Sequence, residues 1–168
     1  MTQTLTCNIN PLQPTGFRLV IDRVNYPNFQ FFANTVTHPS MDLPAAMQAV
    51  PRIEGIPQAG DKLTFAELSV TMIVDEDLQG YKEIYNWMVR LVNENRVGKT
   101  DREGDDIPTE ADITLQVLTS QNNLNKSFRY HDCIPTSLGS IPFVANPGDI
   151  EMLFVDVTFK FSYYEIVE

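Results

Sequence analysis

Between residues 62 and 92 a period-two apolar pattern gives way, within a few positions, to a helical one, and this limits the fold more than any other stretch. Leu68, Val70, Met72 and Val74 share one face, while Glu67, Ser69 and Thr71 share the other. Residues 62–75 therefore predict a strand buried on one side. Asp75, Glu76 and Asp77 then offer an N-cap and put negative charge at the positive end of a helix dipole. Beyond them Leu78, Tyr81, Ile84, Tyr85, Trp87, Met88, Leu91 and Val92 recur at three- and four-residue spacing. That is an apolar helical stripe. Arg90 and Arg96 lie towards its far end and Gly98 just past it, where cations and a stop are expected. A strand feeding a helix that must cover the sheet is architecture.

The rest of the chain is read against that unit. Residues 1–16, with Pro11, Pro14 and Gly16, read as an extended arm. Residues 17–24 predict a strand with Phe17, Leu19 and Ile21 on one face. Residues 28–36 predict a second, and the two would pair as a hairpin. Residues 37–61 hold four prolines and two glycines, which rule out a long helix and a central strand. This long loop carries Met41, Leu43, Met47, Val50 and Ile53, apolar residues that either fold back on the core or dock on another subunit. A second loop, residues 93–111, mixes charges of both signs. Residues 112–121 and 126–134 predict an antiparallel pair around a turn at 122–125, and residues 135–139 turn again. In the last strand Leu153, Val155, Val157, Phe159, Phe161 and Tyr163 alternate with Phe154, Asp156, Thr158, Lys160 and Ser162. One domain spanning residues 1–168 is expected, mainly β. Two packed, mostly antiparallel sheets would form a sandwich or barrel-like body with one flanking helix.

Charge and motifs exclude more than they assign. Twelve basic and twenty-two acidic residues give a formal charge of −10, against a nucleic-acid-binding module, whose phosphate affinity needs clustered Lys and Arg. Cys7 and Cys133 form no disulfide framework or zinc spacing. The first ten residues lack the features of a secretory signal, and no run approaches the length of a membrane helix. The expectation is a soluble protein made in a cytoplasm, with no membrane insertion. Asp75-x-Asp77-x-Gln79-Gly80 begins like a calcium loop, but Asn86 stands where the bidentate Glu belongs. Gly98-Lys99-Thr100 ends like a phosphate loop, but the opening glycine is Asn93. His131 and Cys133, two apart on a strand, would share a face, so a nucleophile–base pair is conceivable, though nothing supplies an oxyanion site. No catalytic centre, metal site or cofactor is expected.

Two blocks carry a resemblance. The first is Asp61-Lys-Leu-Thr-Phe-Ala-Glu-Leu-Ser-Val-Thr-Met-Ile-Val-Asp-Glu-Asp77 with the helix Tyr81-Lys-Glu-Ile-Tyr-Asn-Trp-Met88. The second is His131-Asp-Cys-Ile-Pro-Thr-Ser-Leu-Gly139 followed by the alternating strand ending Phe161-Ser-Tyr-Tyr-Glu165. Together they resemble the tail tube proteins of contractile-tailed bacteriophages of the T-even type, over roughly residues 17 to 166. The resemblance implies a non-enzymatic structural subunit of a virion tail, forming hexameric rings that stack into a hollow tube. A sheath surrounds the tube, a baseplate ends it, and DNA passes down the bore without specific binding. A tube-initiating or capping baseplate protein and a type VI secretion tube subunit share that fold. From other classes, a small β-barrel ligand-binding protein and a minor hydrolase at His131–Cys133 remain as alternatives.

Under that resemblance the polar faces of the two best strands would line the bore: Glu67, Ser69 and Thr71 on one, and Asp156, Thr158 and Lys160 on the other. Lys160 would pair with Glu67 or Asp156 across strands. The apolar residues of the 37–61 loop become candidate subunit contacts.

Overall fold

A computed structural model describes residues 10–51, 53–94, 108–145 and 152–167, with 53, 54, 93 and 94 given by backbone alone. Arg96, Gly98 and the 98–100 and 146–149 segments lie outside the described residues, as do residues 1–9.

The strict alternation becomes paired strand. β1 (Phe17–Val20) leads to a short helix, α1 (Pro27–Phe32), and then β2 (Ala33–Thr37). Two small ladders follow: β3 (Met41–Asp42) with β6 (Thr64–Phe65), and between them the hairpin of β4 (Ala45–Val50) and β5 (Ile53–Ala59). β7 (Leu68–Ile73) feeds α2 (Gln79–Glu94). β8 (Ala111–Leu118), β9 (Leu124–Leu138), β10 (Phe154–Lys160) and β11 (Tyr163–Val167) complete the order.

β9 is the spine. β8 lies along one side of it, and on the other β11 pairs with residues 127–131 and β10 with residues 134–138. The two arms of this bent ribbon build two antiparallel sheets: β1-β8-β9-β11 from one arm, and β9-β10-β7-β2 from the other. Their inner faces meet in one core. Leu19, Ile113, Leu115 and Tyr130 come from the first sheet, and Leu68, Val70, Met72, Val155, Val157 and Phe159 from the second. Ile84 and Trp87 of α2, with Phe29 of α1, close it. Fully burying one such side chain is worth about 1.5–3 kcal/mol, so this inner layer outweighs every surface contact described below.

α2 starts where the acidic triplet predicts. The Asp75 carboxylate accepts from the backbone N–H groups of Gln79 (2.9 Å) and Gly80 (3.2 Å), the first two residues of the helix, and so caps it from the preceding loop. Of the apolar stripe, Ile84 and Trp87 are buried and Tyr81, Met88 and Leu91 pack partly on the core. Tyr85 and Val92 are exposed.

Several expectations are corrected. Residues 28–36 are not one strand. Pro27 stands at a helix N-terminus, and the Glu83 carboxylate accepts from the backbone N–H of Asn28 and Phe29, so residues 27–32 turn as helix. The hairpin of the first two strands fails with it, because β1 pairs β8 and β2 pairs β7. Residues 62–75 break after Phe65. Residues 135–138 continue β9 through a register shift rather than turning, and Gly139 follows its end. The last strand ends at Lys160, and β11 resumes against the other arm of the ribbon. Among the described residues there are two helices, not one.

Residues 37–61 are also more ordered than a loop. Among the described residues β4 and β5 pair only with each other, which leaves each an unpaired side where a proline's missing N–H costs no ladder bond. Gly60 closes the hairpin base: a Cβ there would stand 2.0 Å from the Pro44 carbonyl oxygen, which no other residue could accommodate without backbone movement.

Candidate assembly surfaces

The two polar strand faces form one surface. β7 and β10 are antiparallel neighbours, with Asp156 opposite Thr71 and Thr158 opposite Ser69. The Thr71 hydroxyl donates to the Asp156 carboxylate at 2.6 Å. One step along, Lys160 Nζ stands 3.6 Å from Glu67 Oε1, the cross-strand pair the sequence anticipates. Both side chains are largely exposed, so this pair contributes about 0–1 kcal/mol and sets charge more than stability. The inward residues between them, Leu68, Val70, Val155, Val157 and Phe159, are buried in the core.

The surface extends to strands that sequence reasoning did not include. Thr35 and Thr37 of β2 lie opposite Thr71 and Ser69. On the other flank Thr136 of β9 donates to the Thr158 carbonyl at 3.2 Å, and its hydroxyl lies 3.2 Å from that of Thr158. Four strands thus present a band of hydroxyls bearing Glu67, Asp156 and Lys160, one net negative charge among the three. The alternation of Thr35 and Thr37 around Val36 was the available signal. Gly139 lets the ribbon close tightly here: its N–H donates to the Asp156 carbonyl at 2.8 Å, and a Cβ would lie 3.0 Å from that oxygen.

The apolar residues of 37–61 do not fold back on the core. Met41, Leu43 and Met47 are about half exposed, as is Ile56 on the facing strand, and Val50 is only partly covered. Ile53 falls where the side chain is not described. A two-stranded ribbon with this much apolar surface gains little from its own ladder.

The root of this hairpin is held by aromatic rings that the sequence does not group. Tyr164 of β11 gathers His38 (5.0 Å between ring centres), Phe65 (5.4 Å), Tyr130 (5.8 Å), Phe128 (6.2 Å) and Phe161 (6.2 Å). His38 Nδ1 lies 2.6 Å from the Tyr130 hydroxyl. Burial lowers the His38 pKa from its usual 6.5 and raises that of the Tyr130 phenol.

The His131–Cys133 pair does not exist. Asp132 takes a positive φ of 55°, and the β8–β9 register shifts between Ala111 and Ile113. Alternation breaks there, so Tyr130 and Cys133 both turn into the core while His131 stays outside. His131 stacks on Tyr163 (4.6 Å) between the carboxylates of Asp112 (3.4 Å) and Glu165 (3.2 Å). Partial burial works against the Asp112 charge, but its bonds from Arg129 and the Asp132 N–H hold its pKa below the usual range. The Cys133 thiol is pushed up to about 12 by burial, which leaves it a poor nucleophile. Among the described residues no group of three or more His, Cys, Asp or Glu is placed to hold a metal. No helix there is long and apolar enough to cross a membrane.

No family model matches the chain, and no curated protein matches it in sequence. Solved structures match its fold. A chain of the six-fold symmetrised baseplate of the anti-feeding prophage superposes with a TM-score of 0.66, covering 94% of this chain and 96% of that one at 11% identity. A chain of the tube-terminating cap of the same prophage also gives 0.66, covering 98% and 95% at 13% identity. A chain of the sheath–tube complex of an extracellular contractile injection system gives 0.60, covering 94% and 92% at 16% identity. This is a fold found in contractile injection particles. At these identities the likeness is one of architecture, and it covers nearly the whole of each chain.

Proposed function

We propose that this chain is a structural subunit of a contractile tail tube, assembling as hexameric rings that stack into a hollow conduit. The observation that carries the reading is full-length similarity of fold to chains of contractile particles, one of them six-fold symmetrised. Two surfaces give it a physical basis. The hydroxyl-rich band on β2, β7, β10 and β9 suits a bore wall that neither buries apolar area nor attracts phosphate. Met41, Leu43 and Met47, with the partly covered Val50, supply apolar area for a neighbouring copy to cover. On this reading a sheath and a baseplate are the other partners, DNA slides through the bore unbound, and the protein works in a virion tail after synthesis in the host bacterial cytoplasm.

Electron micrographs of the purified protein test this directly. Rings or tubes are expected, and a monodisperse monomer at high concentration would rule the reading out. A second reading, a tube-initiating or capping subunit, is favoured by the higher TM-scores of the baseplate and cap chains. It predicts single rings that do not elongate.

A further inference from the structure

We propose that His38 is a proton-operated latch at the root of the β4–β5 hairpin, holding the root to the body when neutral and releasing it when protonated. His38 lies between β2 and β3, where the chain leaves the sheet for the hairpin. The return path crosses the same spot: Phe65 of β6 packs on Tyr164 and Phe161, and the Ala66 N–H donates to the Ser40 carbonyl at 3.0 Å. Both legs of the hairpin therefore meet on the ring cluster that His38 joins.

Tyr130 makes this contact sensitive to a proton. It is wholly buried, and its hydroxyl has no hydrogen-bond partner other than His38 Nδ1 among the described residues. Donation from the phenol to an unprotonated Nδ1 satisfies both atoms and sets the Nε2–H tautomer. Protonation turns Nδ1 into a donor. The phenol oxygen must then accept, and the phenol proton is left buried without an acceptor.

His38 itself is exposed, so water reaches its new charge, and the cost of protonation falls on the buried phenol. Among the described residues the rings against the imidazole are Phe128 and Tyr130 of β9 and Tyr164 of β11. The cavity beside the ring, about 640 Å³, is walled by residues 12–17, β2, β8 and Phe128, with no Asp, Glu, Lys or Arg among them. Glu165, next to Tyr164, bonds His131 instead. Since burial lowers the His38 pKa, its contribution to attachment is complete above the ordinary 6.5 and is lost as pH falls through that value towards the folded one.

The test is amide hydrogen exchange of residues 38–42 and 64–66, corrected for intrinsic rates, from pH 7.5 down to 5, with the His38 ring followed by NMR. Loss of protection is expected in the wild type, beginning near the ordinary 6.5 and levelling off once the folded His38 ring has titrated. In His38→Gln, whose amide oxygen can accept from Tyr130 without titrating, protection should not change with pH. Flat protection in the wild type, an equal loss in His38→Gln, or a loss that continues below the titration of the His38 ring would each overturn the proposal. The pH window of the wild-type loss decides the matter if the variant fails to fold.

Discussion

Glu83, on the second turn of α2, caps a helix 54 positions earlier in the chain: its carboxylate accepts from the backbone N–H of Phe29 at 2.9 Å. The same group accepts from the Asn28 side chain at 2.7 Å and more weakly from the Asn28 backbone at 3.3 Å. α1 is six residues long and has no side-chain cap of its own. An isolated helix of that length does not hold in water, so Glu83 and the burial of Phe29 keep it folded. Glu83→Ala is expected to lower stability by about 1–3 kcal/mol, since it leaves these donors unpaired. Glu83→Gln should lose less. Urea unfolding measures both, and equal stabilities for all three proteins would remove the cap from the account.

Trp87 joins that helix pair to the sheet. It is wholly buried, stacks on Tyr26 at 4.5 Å and lies 5.9 Å from Phe159. Its indole N–H donates to the Thr109 carbonyl at 2.8 Å. Trp87→Ala should cost about 3–5 kcal/mol. Trp87→Phe keeps most of the apolar volume but loses the donor, and should cost less. A melting temperature unmoved by Trp87→Ala would mean that the ring is not in the core.

Cys133 should be silent to thiol reagents. Its thiol is buried and pushed up to about 12, so the thiolate that reacts is almost absent at pH 8. Alkylation followed by peptide mass mapping should leave Cys133 unmodified in the folded protein and label it in denaturant. Rapid labelling of the native protein would place the sulfur at the surface and restore the His131–Cys133 reading.

β7 and β10 were legible because each is buried on one face only, so alternation in the sequence is alternation in space. α2 was legible for the matching reason. α1 was not, because only Phe29 of its phenylalanines is buried and its cap comes from a distant helix. β4 and β5 were hidden because most of their described side chains are exposed on either face, leaving no period to read. His131 and Cys133 were misplaced by one residue of bulge, which spacing alone does not reveal. The polar band was legible strand by strand. That its members are neighbours follows from antiparallel pairing of strands more than eighty residues apart, which only the fold displays.

If the hairpin and the β3 segment leading into it dock on a neighbouring copy, charge placed on them should block assembly without unfolding the subunit. Met41→Asp with Leu43→Asp is the first pair, and Met47→Asp is a cleaner single change, since Met41 also lies 4.0 Å from the Tyr164 hydroxyl. Sedimentation should show a folded subunit that no longer forms rings or tubes, with circular dichroism unchanged. Assembly at the wild-type concentration in both variants would remove the hairpin from the interface.

If the proposed tube forms with this band lining its bore, the last prediction rests on two opposed requirements. A conduit must admit a duplex yet must not hold it, and every Lys or Arg that meets a phosphate adds adhesion. On the band across β7 and β10, Glu67 stands against the only lysine, and Asp156 faces Thr71, so no cation is left unmatched there. Glu67→Lys with Asp156→Lys reverses that balance, and Glu67→Gln with Asp156→Asn removes the charges without adding any. Tubes carrying the lysine pair should assemble but eject DNA slowly or stall, and raised salt should relieve the block. Each lysine that meets phosphate steepens the salt dependence by about 0.9 in log–log slope, which identifies the cause as counterion release. The neutral pair should eject normally, separating adhesion from any loss of the Thr71–Asp156 bond. Ejection at wild-type speed from tubes of the lysine pair would mean that this band faces away from the bore.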